Sequence, residues 1–177
     1  QFTNGGILIS DNNNSSWIAV YHLDLAVDSE DNAIITLVDQ RTGPWEVYAY
    51  KIAIDGTMLW GTDGVTLSSS GTDNISPRIA VLPDNSVVVT WSKNYSSIIV
   101  QHISAEGDLL WGDGMAINNL TASLLSPQPI ISSDGNLLIQ WISQTGPVWA
   151  ADSKLYLQKY NLDGSAIWSE ATVVVGP

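Results

Sequence analysis

The chain writes nearly the same passage three times. Trp60, Trp111 and Trp168 each stand four residues after the glycine of an acidic-Gly pair, Asp55-Gly56, Glu106-Gly107 and Asp163-Gly164. A second repeated unit lies upstream. Ser76–Trp91 (SPRIAVLPDNSVVVTW) aligns without a gap on Ser126–Trp141 (SPQPIISSDGNLLIQW). Leu25–Leu37 (LAVDSEDNAIITL) is a first copy, with Leu37 where the others have Trp. A period of about fifty residues holding about four short strands is what a β-propeller blade requires.

Each unit divides into strands A to D. Strand A is the apolar run around Leu25, Ile79 or Ile130. A tight turn follows at Asp31-Asn32, Asp84-Asn85 or Asp134-Gly135, where Asx and Gly tolerate the positive φ of hairpins. Strand B is expected at 33–38, 87–92 and 137–142, and strand C at 47–52, 98–103 and 155–160. Strand D is expected to begin at the repeated Trp. The opening QFTNGGILIS aligns on LWGTDGVTLS, with Phe2 at Trp60, Gly6 at Gly64 and Ser10 at Ser68. The expectation is therefore an all-β chain, 1–177, forming one β-propeller segment. Residues 1–10 supply the last strand of a preceding blade, and three four-stranded antiparallel blades occupy 21–68, 76–118 and 126–175. A β-sandwich of the same strands is the alternative. Propellers close with four to eight blades, so this segment is expected to belong to a larger propeller or to associate with copies of itself. Its partners would be the remaining blades or those copies.

Composition narrows the partners. The formal net charge is −12, with six Lys and Arg. Such a surface repels phosphate backbones and anionic membranes, which argues against nucleic acid. No apolar run approaches the length of a membrane span, so no membrane insertion is expected. The chain has no cysteine and hence no disulfide. No signal peptide is visible at Gln1, which leaves a removed leader or an excised piece.

The segments AIITLVDQR (Ala33 to Arg41), GTMLWGTDGV (Gly56 to Val65) and LYLQKYNLDGSAIW (Leu155 to Trp168) carry a family resemblance. The pattern resembles a β-propeller-type repeat of bacterial secreted and surface proteins. That repeat reads roughly D-G-x-G-x-x-I-V-x-W-x-D-x-R, then I-Y-x-Q-x-x-D-x-x-G-x-x-L-W-G. The resemblance covers nearly the whole chain and implies an exported protein, extracellular or at the cell surface, with scaffold or adhesive duty. It brings no catalytic residues. The chain departs from the pattern at Leu37 and at Trp168-Ser169.

Of eight tryptophans, Trp60, Trp111, Trp168, Trp91 and Trp141 repeat and are read as packing between adjacent blades. Trp17, Trp45 and Trp149 do not repeat. Trp45 and Trp149 fall in B–C loops, as does Tyr95, and Trp17 ends a D–A loop. In a four-stranded meander those loops share one end of the blades. Trp17, Trp45, Tyr95 and Trp149 are therefore candidate ligand-stacking residues for a glycan or protein partner. Lidding of the blade below each ring is the structural alternative. Asp39, at the end of strand B, breaks the repeat against Lys93 and Ser143 and joins the candidates; Asp11, Glu46 and Asp73 are further acidic residues of that end.

Asp28, Glu30, Asp31 and Asn32 on one A–B turn make calcium the one cation to consider, but the ligand spacing of a calcium loop is missing and a solvated acidic turn is preferred. No cofactor is implied. His102 aligns with Lys51 and Lys159 and is expected to face solvent. No catalytic or zinc motif is present. The function expected is a noncatalytic binding or scaffold module, with enzyme activity left open. Two alternatives stay open: a fragment of a glycoside hydrolase-like propeller enzyme, and a structural subunit docking through its blade edges.

Overall fold

The computed structural model describes residues 6–10, 23–68 and 71–175, and of residue 148 the backbone only. Three antiparallel sheets of four strands follow one another along the chain. The first is β1 (Asp24–Val27), β2 (Ala33–Asp39), β3 (Glu46–Ile52) and β4 (Val65–Thr66). The second is β5 (Asn74–Val81), β6 (Val87–Lys93), β7 (Ser97–Ile103) and β8 (Met115–Asn118). The third is β9 (Ser123–Ile131), β10 (Leu137–Thr145), β11 (Asp152–Tyr160) and β12 (Thr172–Val175). Each is a meander in chain order. A 3-10 turn at Val148–Ala150 is the one helical element among the described residues.

The repeated turns explain the repeated hairpins. Asp31, Asn85 and Gly135 hold the same place between strands A and B and have φ of 62°, 64° and 80°. Asx and Gly accept that left-handed conformation at least cost. The Ser-Pro pairs have a role as well. Ser76 and Ser126, at φ 58° and 51°, sit where the pairing of β5 with β6 and of β9 with β10 shifts register. Each pair forms a bulge opposite Trp91 or Trp141, where proline's missing N–H breaks no ladder.

Strand D departs from expectation. It does not begin at the repeated Trp. Met58, Leu109 and Ala166 make single bridges back to Ile52, Ile103 and Tyr160. The chain then turns through Trp60, Trp111 or Trp168 and resumes pairing four or five residues later. Glycine sets the return point in two sheets. Gly64 has φ +67°, and a Cβ there would lie 2.6 Å from the Ala49 carbonyl oxygen. Gly114 has φ +88° and would meet Ile99 at 2.8 Å. Only a residue without a side chain lets the backbone cross strand C that closely.

The sheets stack in one direction. We call the face toward the preceding sheet the leading face, and the other the trailing face. Ile34, Val38, Val47 and Ala49 on the trailing face of the first sheet meet Val87, Val89, Trp91, Ile99 and Ile103 on the leading face of the second. Val88, Ile98 and Val100 on the opposite side of the second sheet meet Leu137, Ile139, Trp141 and Tyr160 of the third. The middle strands β6 and β7 are thus buried on both faces apart from Lys93 and Ser97. Strand β5 packs on β1, and β9 packs on β5. The repeated tryptophans fill these two seams: Trp60 and Trp91 the first, Trp111 and Trp141 the second.

Residues 6–10 form no strand, and Phe2 lies outside the described residues. Their placement still follows the alignment. Gly6 has φ +79° where Gly64 has +67°. Ile9 packs on Leu37, Tyr48 and Tyr50 of the first sheet's leading face. Its counterpart Leu67 packs in the seam against the second sheet.

Candidate functional site

The meander puts the B–C loops and the D–A loops at one end of the molecule. Backbone hydrogen bonds tie the first and second B–C loops to the sheet that follows. The Trp45 carbonyl accepts from the Asn74 N–H at 3.1 Å, and the Tyr95 carbonyl accepts from the Leu124 N–H at 2.6 Å. Asn74 and Leu124 are the same position of successive units. The Asn74 side chain also donates to the Trp45 carbonyl and accepts from the Trp91 indole N–H at 3.0 Å.

The candidate aromatics have different fates. Trp45 is half-buried and packs on the seam between the first and second sheets. Its ring belongs to the core. Tyr95, with φ 56°, is 41 % exposed, and Trp149 is 88 % exposed. Trp17 lies outside the described residues.

A concavity of about 320 Å³ opens at this end between the second and third sheets. Asn94, Tyr95 and Ser96 form one wall, Asn119 to Ser123 the floor, and Gln144 to Gly146 the other wall. Trp149 stands three residues beyond Gly146, on the 3-10 turn that ends this loop. The floor is braced by one side chain: Asn119 Oδ1 accepts from the Thr121 N–H, the Thr121 hydroxyl and the Ala122 N–H. Such an Asx turn holds a loop without regular structure. Short amide and hydroxyl groups beside exposed rings can hydrogen-bond and stack on a sugar or a peptide. The repeat pattern does not single out the Asn119–Ser123 floor. Its signal in the sequence is the loop composition, Asn, Thr and Ser between two apolar strands.

Asp39 lies elsewhere, on the leading face of the first sheet. It is fully buried and paired with Arg41 at 2.8 Å. Arg41 also donates to the Tyr50 hydroxyl at 2.6 Å and lies 3.7 Å over the Tyr48 ring. Burial pushes the guanidinium down, but Asp39 and Tyr50 outweigh it and hold Arg41 well above its ordinary value. Tyr48 in turn donates to Glu46 at 2.8 Å, which also accepts from the Thr42 hydroxyl at 2.6 Å. Burial and the Glu46 carboxylate raise the Tyr48 phenol. Asp39 and Glu46 therefore work inside a cross-braced polar cluster, and the loop-end concavity is lined by other residues.

The acidic A–B turn is similarly occupied. Asp28 is buried, accepts from the Glu30 and Asn32 N–H groups and the Asn32 amide, and pairs with Lys51 at 2.9 Å. Burial pushes this carboxyl up, but the Asn32 amide, Lys51 and the backbone donors prevail and bring it to about 2. Among the described residues, no group of three or more His, Asp and Glu side chains is placed to hold a metal ion. No helix among them is long and apolar enough to cross a membrane.

His102 corrects an expectation. It is 8 % exposed, not solvent-facing, and its Nε2 lies 2.9 Å from the Ser86 hydroxyl. Its ring meets Trp111 edge-on at 5.5 Å. The third sheet covers the trailing face of β7, so a position that alternation would assign to solvent is inside. Burial holds the imidazole below its ordinary value, against the pull of Asp84. Lys51, the equivalent residue, is buried for the same reason. At this position Lys51, His102 and Lys159 each reach back to their own A–B turn, at Asp28, Ser86 and Asp134.

The sequence matches no protein-family model, and no curated protein matches it.

Proposed function

We propose that the chain is a run of three β-propeller blades from a larger ring. It serves an exported bacterial protein as a noncatalytic binding or scaffold module. The propeller reading draws support from the one-way stacking of four-stranded meanders and from the packing of successive A strands on one another. Export and a bacterial source rest on the repeat's resemblance.

The loop end is the recognition face. The observation that carries this is the division among the tryptophans. Trp60, Trp91, Trp111 and Trp141 fill the seams and Trp45 joins the first of them. Trp149 is 88 % exposed, three residues along the chain from Gly146, which lines a concavity with amide and hydroxyl side chains. A flat ring in that setting suits the apolar face of a sugar, with the neighbouring side chains taking its hydroxyls.

The test is a screen of neutral oligosaccharides followed by calorimetric titration. A bound glycan should lose at least tenfold in affinity with Trp149→Ala and with Tyr95→Ala, while Gln128→Ala on the trailing face of the third sheet leaves it unchanged. Absence of any glycan ligand, or affinity indifferent to Trp149, removes the reading.

A further inference from the structure

Among the described residues, two faces have no sheet against them: the leading face of the first sheet and the trailing face of the third. They are the two halves of one interface, which the molecule already makes twice. Leu25 and Val27 on the first sheet are 65 % and 58 % exposed. Their counterparts Ile79 and Val81 pack into the seam against the sheet before them. On the third sheet, Leu138, Leu155 and Leu157 are part-exposed, whereas their counterparts Val88, Ile98 and Val100 are all at 0 %.

A polar contact crosses the first seam. In the first seam the Trp60 indole N–H donates to the Ala105 carbonyl at 3.0 Å. The counterpart of Trp60 at the far end is Trp168, half-buried. The counterpart of Ala105 on the first sheet is Ile54, 73 % exposed. One chain therefore carries a donor Trp on its far side, and on its near side an acceptor carbonyl together with the exposed Leu25 and Val27, while Leu37, Tyr48 and Tyr50 of the near face are buried under residues 6–10.

We propose that copies of this chain associate head to tail, the trailing face of one copy's third sheet docking on the leading face of the next copy's first sheet. Trp168 of one copy then donates to the Ile54 carbonyl of the other. The inference rests on the sheet-stacking part of the proposed function and is independent of glycan recognition. A contact between unlike surfaces builds a closed ring when its rotation closes, and two copies contribute six sheets, within the range of propellers. Residues 6–10 cover part of the receiving face, over Tyr48 and Tyr50. The incoming β12 arrives at that same place, so one segment yields. All four residues of β12 are exposed, whereas Ile9 is packed on Leu37, Tyr48 and Tyr50, so β12 gives way.

The test is sedimentation equilibrium of the intact chain without glycan. Wild type should show at least twice the monomer mass. Leu25→Glu and Ile130→Glu, both at exposed sites, should each lose the assembly and keep the circular dichroism of wild type. An equimolar mixture of the two variants should recover a dimer, because each brings the half that the other lacks. A monomeric wild type at high concentration overturns the proposal. So does an Ile130→Glu variant that stays fully assembled, which would mean like faces pairing. The Trp149→Ala titration reads the loop face separately, so failure here is distinguishable from failure there.

Discussion

The Trp60 indole reaches across the first seam to the Ala105 carbonyl, and its ring lies where Gly107 has no side chain. A Cβ on Gly107 would stand 2.9 Å from Trp60 Cδ1. Gly107 also holds φ +101°. Gly107→Ala should therefore lower unfolding stability by about 2–4 kcal/mol, combining backbone strain with overpacking. Gly135→Ala, at φ +80° with open space around it, should cost only about 1–2 kcal/mol. Urea unfolding of the two variants checks the difference.

The buried pair of Lys51 and Asp28 is the second test. Lys51→Met leaves the carboxylate uncompensated and should cost about 3–5 kcal/mol. Adding Asp28→Leu should regain part of that loss, because both charges are then gone. The double-mutant cycle, read by chemical unfolding, gives a coupling well above the range of about 0–1 kcal/mol typical of surface pairs.

Acid should act on the same carboxylate. Asp28 titrates at about 2 in the folded chain, against 3.8 for an unconstrained carboxyl of its type. Its folded value is depressed, so its contribution is full above pH 3.8 and disappears as pH falls toward about 2. His102 adds an earlier step. Its imidazole is held below 6.5, so the unfolded chain takes the proton first, and stability begins to fall as pH drops through 6.5. Stability measured across this range should show both steps. Asp28→Asn should flatten the lower one and leave the upper one in place.

Two hydroxyls point to a gain. Thr36 and Thr90 are equivalent positions, both fully buried, and their hydroxyl oxygens have no hydrogen-bond partner. Thr90→Val replaces a stranded polar atom by a methyl of similar size. It should raise stability by about 1 kcal/mol, measured as a higher urea midpoint at unchanged slope.

The repeat makes much of this readable. Asx and Gly at the A–B turns, and the apolar runs of β2, β6 and β10, locate the hairpins correctly because turn chemistry is local. Strand D is harder to place, and its sequence suggests too early a start. The bridges at Met58, Leu109 and Ala166 look like strand in sequence, and the crossing at Gly64 and Gly114 depends on the third dimension. His102 and Lys51 mislead for a related reason. Alternation predicts an outside face, but a sheet stacked on both sides has none, and polar residues there find partners within. Trp45 and Trp149 follow almost the same motif, TGP and TGPV. What separates them is whether another sheet follows: Asn74 and Trp91 receive Trp45, and no sheet of the described residues stands beyond Trp149. The Asp39–Arg41–Tyr50 cluster is legible only as an acidic residue that breaks the repeat.

The seams also bear on how such a chain lengthens. Every unit carries one receiving side and one offering side, and each seam is specified wholly by the two units that meet in it. Copying the stretch that encodes the middle sheet would insert a unit that fits its neighbours on both sides from the first generation. Inverting a unit would bring two like faces together and strand a contact such as that of Trp60 with the Ala105 carbonyl. Lineages built on this pattern should therefore grow by tandem duplication and keep one orientation, while the uncovered ends and the loop tips remain the places where sequence is free to diverge.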